Sequence, residues 1–310
     1  VKRKKMQPNV TIQVAGLTLR NPTMLAAGVL GLSGSVLRSV WEAGAGAVVT
    51  KSLAVKPRGG YSNPTMVDVG CGFLNAMGLP NPGVEAFIEE VAAARRGGEM
   101  VIVASVFGDS PPNFAEAASV MENAGVDGVE LNVSCPHVKA TGMELGQDPS
   151  ILAKVVRAVK DAVHIPVFTK LTPNTAHLRE LARTVERAGG DGIVAVNTLR
   201  AMAIDVETGR PVLGNKIGGL SGPALKPVAL RCVYEIAQTV NIPIIGCGGV
   251  TNWRDAIEFL LAGASAVQIG SAIAYRELTV FNEVVCGVKE YLKRKGYGEV
   301  GEIVGLSQTY

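Results

Sequence analysis

The segment Asn132-Val133-Ser134-Cys135-Pro136 delivers an amide and a thiol together, directly after Val126–Leu131, which reads as a buried strand. Proline after the cysteine stops the strand and leaves a turn, because it lacks an N–H and restricts the residue before it. A free cysteine on its own is most often a small buried hydrophobe. With Asn132 three residues ahead, the pair points instead to chemistry: a thiol that can take a proton beside an amide that can stabilise charge.

Other apolar runs also end on polar residues or glycine, at Thr50-Lys51, Lys170, Asn197-Thr198, Gly248-Gly249 and Gly270-Ser271. The last two pairs suit a phosphate, since absent side chains let backbone N–H groups approach an anion and a helix start favours its charge. The plainer alternative is that these glycines only permit tight turns. Gly246-x-Gly248 is not a dinucleotide fingerprint: it lies late in the chain and lacks both the third glycine and the following βαβ unit. Lys51 and Lys170, at buried strand ends, each need a negative partner, because burial drives an unpaired ammonium towards neutrality. An electron-rich ring, an anionic intermediate or a substrate carboxylate would serve. An internal salt bridge is the alternative, disfavoured by how few acidic residues stand at the strand ends, and Lys170 as a Schiff-base lysine is another.

Positioning such residues together requires a repeating scaffold. Candidate strands fall at 23–26, 47–50, 101–105, 128–132, 167–170, 192–196, 244–246 and 266–269, and candidate helices at 35–43, 84–95, 113–123, 150–163, 175–188, 225–239, 253–262 and 278–295. Uniformly apolar strands, each followed by a helix, indicate a parallel sheet covered by helices. Eight such units without a linker predict one α/β domain, a single (β/α)8 TIM barrel whose site lies at the C-terminal strand ends. Recurrent Ala-Gly before Asp-Gly or Ala (at 43–46, 124–128, 188–192 and 262–264) reads as the helix stop of each unit. Residues 11–20 alternate about Ala15-Gly16, an N-terminal hairpin expected to close the barrel's bottom. Two long loops at the C-terminal face, 51–82 and 197–222, read as lids or binding loops, the second with a hairpin signal around Thr208-Gly209.

A hydrophobic content of 47% supplies a large core, and a net charge of +3 gives no argument for nucleic acid. The basic start Lys2-Arg3-Lys4-Lys5 reads as a solvated terminus, with residues 1–10 loosely ordered. No run is long and apolar enough to span a bilayer, and no signal-peptide pattern precedes Met6, so a soluble, cytoplasmic protein is expected. Five dispersed cysteines without a C-x-x-C pair fit a reducing compartment and argue against zinc or iron–sulfur ligation by this chain; no metal is expected.

Three further segments sharpen the reading: Phe73-Leu74-Asn75-Ala76-Met77-Gly78-Leu79-Pro80-Asn81-Pro82-Gly83, Asn197-Thr198-Leu199-Arg200-Ala201-Met202-Ala203-Ile204-Asp205, and Gly218-Gly219-Leu220-Ser221-Gly222-Pro223-Ala224-Leu225-Lys226-Pro227. Together with Glu130–Pro136 they make the chain resemble the dihydroorotate dehydrogenases of the soluble family 1, type B more closely than type A, from about residue 11 onward. The resemblance implies one FMN per chain at the barrel top. Its cofactor contacts would be Ala27, Gly28, Lys51, Ser52, Asn132, Lys170 and Val196, with the phosphate on Gly222, Gly248, Gly249, Gly270 and Ser271. Lys170 would stabilise the reduced ring. Dihydroorotate would be held by Lys51, Asn75, Met77, Gly78, Leu79, Asn132, Asn197 and Thr198. Cys135 would be the general base taking the C5 proton while hydride leaves C6. His137 departs from the family pattern, standing where many relatives have a substrate-binding asparagine, so that contact would be altered.

Electrons must then leave a chain that has neither a nicotinamide fold nor a cysteine cluster. The resemblance implies a partner subunit carrying FAD and a 2Fe-2S cluster that passes them to NAD, with the barrel also forming a homodimer within a heterotetramer. The rivals are another flavin-dependent dihydropyrimidine or dihydrouridine oxidoreductase, a sugar-phosphate aldolase or isomerase using the glycine loops and Lys170, and a non-enzymatic phosphate-binding barrel. Low net charge opposes an RNA substrate, and the Gly-Leu-Ser-Gly-Pro run opposes free dihydropyrimidines.

Overall fold

Eight short strands, buried on both faces, close into one parallel barrel: β1 Thr23–Leu25, β2 Ala47–Val49, β3 Ile102–Val106, β4 Gly128–Asn132, β5 Val167–Leu171, β6 Gly192–Ala195, β7 Ile244–Cys247 and β8 Ala266–Ile269. Each pairs with its neighbour in sequence order, and β8 returns to β1, leaving no edge. Among the described residues eight helices longer than a single turn surround them: α1 Gly34–Glu42, α2 Val84–Arg95, α3 Pro111–Asn123, α4 Pro149–Ala162, α5 Leu178–Arg187, α6 Lys226–Ala237, α7 Trp253–Ala262 and α8 Thr279–Lys295. This computed structural model describes residues 7–134 and 145–309.

Alternation along each strand sorts side chains into two cores. Leu25, Val48, Val129, Leu131 and Val267 pack outward with helix residues such as Phe87, Phe114 and Phe259. Met24, Val49, Val103, Phe168, Val194 and Ile245 pack inward as an apolar floor. The hairpin Ile12–Val14 and Leu17–Leu19 turns at Ala15-Gly16, and its Val14 and Leu19 join that floor, closing the bottom as the alternation predicts. By the same alternation Glu130, Asn132, Lys170 and Gln268 face the lumen above it.

The Ala-Gly-x-Asp-Gly runs do more than stop helices. Gly125 and Gly189 do take the left-handed turn, each with φ 90°. The aspartate that follows secures the next strand: Asp127 accepts from the Ile102 amide and pairs with Arg95, and Asp191 accepts from the Val167 amide and pairs with Lys160. The second glycine, Gly128 or Gly192, makes room for the Phe168 ring between them, since a Cβ at Gly192 would stand 2.7 Å from it.

The two long loops build one structure. Met66–Asp68 and Phe73–Asn75 from the first join Gly218–Ser221 and Leu199–Ala201 from the second as a four-stranded antiparallel sheet over the barrel mouth. The hairpin signal at Thr208-Gly209 is a two-residue pairing of Ile204–Asp205 with Arg210–Pro211.

Candidate active site

Between that sheet and the C-terminal strand ends lies a cavity of about 570 Å³. Ala27 and Gly28 line it after β1, Lys51 and Ser52 after β2, Asn132 at the end of β4 and Lys170 near the end of β5. Val196, Asn197 and Thr198 enter after β6, and Asn75, Met77, Gly78 and Leu79 come down from the first long loop. Gly222, Gly248, Gly249, Gly270 and Ser271 close the remaining side. Cys135 and His137 lie outside the described residues.

The amides are held by one another. Asn132 Nδ2 donates to Ser52 Oγ at 3.0 Å, and its Oδ1 accepts from Ser134 Oγ at 2.7 Å and from Asn197 Nδ2 at 3.3 Å. Asn197 Nδ2 also reaches Ser134 Oγ at 2.6 Å, and its Oδ1 accepts from the Thr198 amide. Asn75 is tied by its Nδ2 to Gly219 O at 3.2 Å, across the covering sheet. These amides are thereby oriented before any ligand arrives, which reduces the ordering cost of binding.

The two lysines differ. Lys51 is buried, with no carboxylate within ion-pair distance among the described residues, and burial pushes its ammonium down from the ordinary range. Lys170 does have the internal partner that the sequence reading disfavoured. Its Nζ donates to Gln268 Oε1 at 2.8 Å and lies 3.5 Å from Glu130 Oε1. Burial alone would lower Lys170, but Cys247 and the Glu130 carboxylate outweigh it and raise the group above its usual value. A Schiff-base lysine must lose its proton to attack, so this environment opposes the aldolase reading of Lys170.

The glycine side has the form of an anion cradle. Gly248 and Gly249 adopt φ of 134° and 74°, so a tight turn is part of their role. A Cβ on Gly249 would lie 2.8 Å from both Gly222 O and Lys226 Cβ, which keeps the loop pressed onto the start of α6. Among the described residues no group accepts from the backbone N–H of Gly248, Gly249, Gly270 or Ser271. Unpaired N–H groups along a concave wall are unfavourable unless an acceptor occupies it. Beneath them, Asp255 accepts from the Thr251 amide and hydroxyl and from Lys226 Nζ at 2.7 Å, clamping the loop after β7 to α6. The helix that follows Ser271 is one turn, Ile273–Arg276, so its dipole adds little to these donors.

The sequence reading passed over Gln268 and Cys247, which also line the cavity, and Glu130 beneath them. A period-two count would have found them: Glu130 is two residues before Asn132, and Gln268 two before Gly270. Phe73, stacked on Tyr275 at 5.1 Å, joins the covering sheet to the glycine side. Among the described residues no group of three or more His, Cys, Asp or Glu is placed to hold a metal, and no helix is long and apolar enough to cross a membrane.

Comparison with known proteins follows this geometry. The family model for dihydroorotate dehydrogenase matches residues 9–292. The catalytic subunit of dihydroorotate dehydrogenase B (NAD(+)) from Pyrococcus furiosus is 50% identical over 300 residues, covering 97% of this chain and 99% of that one. The protein of the same description from Methanosarcina acetivorans is 50% identical over 295 residues, covering 95% and 94%. The one from Thermococcus kodakarensis is 48% identical over 298 residues, covering 96% and 98%.

Proposed function

The chain belongs to the dihydroorotate dehydrogenase family, and on that premise we propose that it oxidises dihydroorotate to orotate with FMN, as the catalytic subunit of an assembly that passes the electrons to NAD. The observation that carries the reading is the cavity itself, which brings together a row of backbone N–H groups unpaired among the described residues, three tethered asparagines and two buried lysines. That donor set fits the group. Gly248, Gly249, Gly270 and Ser271, with Gly222 beside them, would hold the FMN phosphate; Ala27, Gly28, Ser52, Asn132 and Val196 would border the ring, and Lys170 would supply positive charge to it. When bound, FMN supplies the acceptor for the hydride from C6.

The chain's own residues do the rest. Asn75, Asn132, Asn197 and Thr198, with Met77, Gly78 and Leu79, hold the substrate ring. Lys51, which has no carboxylate partner among the described residues, takes the substrate carboxylate. Proton removal at C5 falls to Cys135, which follows Ser134 in the chain; Ser134 is bonded to both Asn132 and Asn197. A thiol of pKa about 8.5 needs only modest help to act as a base near neutrality. The asparagine amides stabilise the negative charge that this proton transfer generates. His137 modifies the substrate contact that asparagine makes in many relatives.

We infer further that a partner subunit carrying FAD and a 2Fe-2S cluster accepts the electrons, with the barrels paired in a heterotetramer, and that the assembly is cytoplasmic. The deciding experiment is anaerobic bleaching of the bound flavin by dihydroorotate, repeated on Cys135→Ser. The parent should bleach and the variant should bleach at least tenfold more slowly at neutral pH. No bleaching by the parent rejects the substrate, and an unchanged rate in the variant rejects the base.

A further inference from the structure

Glu130 takes no part in the function proposed above, yet it is fully buried, and a buried carboxylate is costly unless it is paired. It faces the lumen from β4, while Gln268 faces it from β8, four strands away around the closed barrel. Gln268 Nε2 nevertheless donates to Glu130 Oε2 at 2.5 Å, so the contact spans the lumen. The other end of the same amide accepts from Lys170 Nζ at 2.8 Å. Only one orientation of the Gln268 amide meets both demands, because an ammonium cannot accept and a carboxylate cannot donate. Among the described residues Glu130 Oε1 receives no hydrogen bond, and it lies 3.5 Å from Nζ. Lys170 and Gln268 border the cavity and Glu130 does not, so the carboxylate acts from behind.

We propose that Glu130 is a positioning residue for Lys170: through Gln268 it fixes where the ammonium points and holds its charge against the cavity. The consequence for the flavin rests on the function proposed above; the consequence for Lys170 does not. The titratable groups that act on Lys170 are Glu130 from β4 and Cys247 from β7. Burial pushes the Cys247 thiol up, leaving it uncharged near neutrality, so Glu130 is the counter-charge.

Competitive acylation with trace acetic anhydride tests this on FMN-free protein, because only an unprotonated amine reacts. Peptide mass spectrometry then reads Lys170, with Lys51 as the internal reference. At pH 9, Glu130→Gln should raise Lys170 labelling at least tenfold over the parent and change Lys51 less than twofold. Equal Lys170 labelling in the two proteins overturns the proposal. A variant too unstable to label is decided by Glu130→Gln combined with Lys170→Met, which buries no unpaired charge and should regain the lost thermal midpoint; failure to regain it also overturns the pairing. In FMN-loaded protein, Glu130→Gln should slow flavin reduction by dihydroorotate about tenfold at pH 9, but less than twofold in a Lys170→Met background. The same slowing in both backgrounds means that Glu130 acts elsewhere, and refutes the role. Protein that binds no FMN would refute the proposed function alone, since the labelling result stands without it.

Discussion

Replacing Gly249 by alanine puts one methyl group against the cradle, and the structure fixes what it meets. The residue has φ of 74°, where alanine costs about 1–2 kcal/mol relative to its preferred conformations. The new Cβ would stand 2.8 Å from Gly222 O and from Lys226 Cβ, and overpacking of that kind costs about 1–3 kcal/mol. The sum, about 2–5 kcal/mol, must be relieved by moving the loop or borne by the fold, and it corresponds to a factor of roughly 30 to 4,000 in an equilibrium constant. If the loop moves, the Gly248 and Gly249 N–H groups leave their places and FMN binds more weakly by that factor. If the Asp255–Lys226 clamp holds it, the same energy appears as lost stability in FMN-free protein. Fluorescence quenching of FMN on titration with apoprotein measures the first, and urea unfolding of apoprotein the second; together they should account for the whole sum. Ser271→Ala, which removes one hydroxyl and keeps its N–H, should cost only about 0.5–1.5 kcal/mol in FMN affinity. An FMN Kd within threefold of the parent together with unchanged unfolding in Gly249→Ala would refute the cradle.

Asp255→Ala should lower stability by about 1–2 kcal/mol at pH 7, because it leaves the Thr251 donors unmatched and strips Lys226 of one of its two carboxylates, Glu258 remaining at 3.1 Å. Burial alone would raise this carboxyl, but Lys226 and Thr251 outweigh it and hold it below the ordinary range. Its contribution is therefore complete above the unfolded value of about 3.9 and is lost as pH falls through the lower folded value; urea unfolding at pH 7 and pH 3 should show the gap between parent and variant narrowing. Lys51→Met should stabilise FMN-free protein by about 1 kcal/mol at pH 7 while abolishing flavin bleaching by dihydroorotate. Its folded value is depressed, so the parent recovers that loss as pH rises towards about 10.4, and the gap should close in unfolding measured near pH 10.5. Phe168→Ala empties the space bounded by Gly128 and Gly192 and should cost about 3–5 kcal/mol by chemical unfolding.

The barrel was legible in the sequence because each strand is an apolar run buried on both faces and most of the helices, though not α4 and α6, end beside a glycine. Every candidate strand corresponds to a barrel strand. Most helix bounds move by no more than a residue; the larger shifts are at α3, which begins at Pro111, a favoured first position, at α5, which begins at Leu178 after the turn residues at 175–177, and at α6, which ends at Ala237. The covering sheet was not legible. Its strands are only three or four residues long, rich in glycine at 218–219, and the pairing that joins its two halves, Gly218–Ser221 with Phe73–Asn75, lies far apart in the chain. The wall residues of the cavity were found because polar residues at strand ends stand out against apolar runs. Glu130 was hidden for the opposite reason, as a single carboxylate inside an apolar strand whose partner, Gln268, is distant in sequence and opposite in space. Cys247 stands two residues after the inward Ile245, so alternation puts it in the lumen, but nothing in its spacing from the other cysteines marks its place beside Lys170.

The covering sheet also has a consequence for the order in which the molecule is made. The bond from Asn75 to Gly219 joins positions 144 apart, and neither loop supplies enough pairing of its own to hold a sheet. Closing so long an interval is unfavourable until both ends are anchored, and the anchors are β2, β6 and the start of α6. The roof therefore assembles after the wall beneath it. A refolding chain passes through a stage with its apolar floor already dry and its ligand chamber still open to water, and capture of FMN should trail the burial of Phe168.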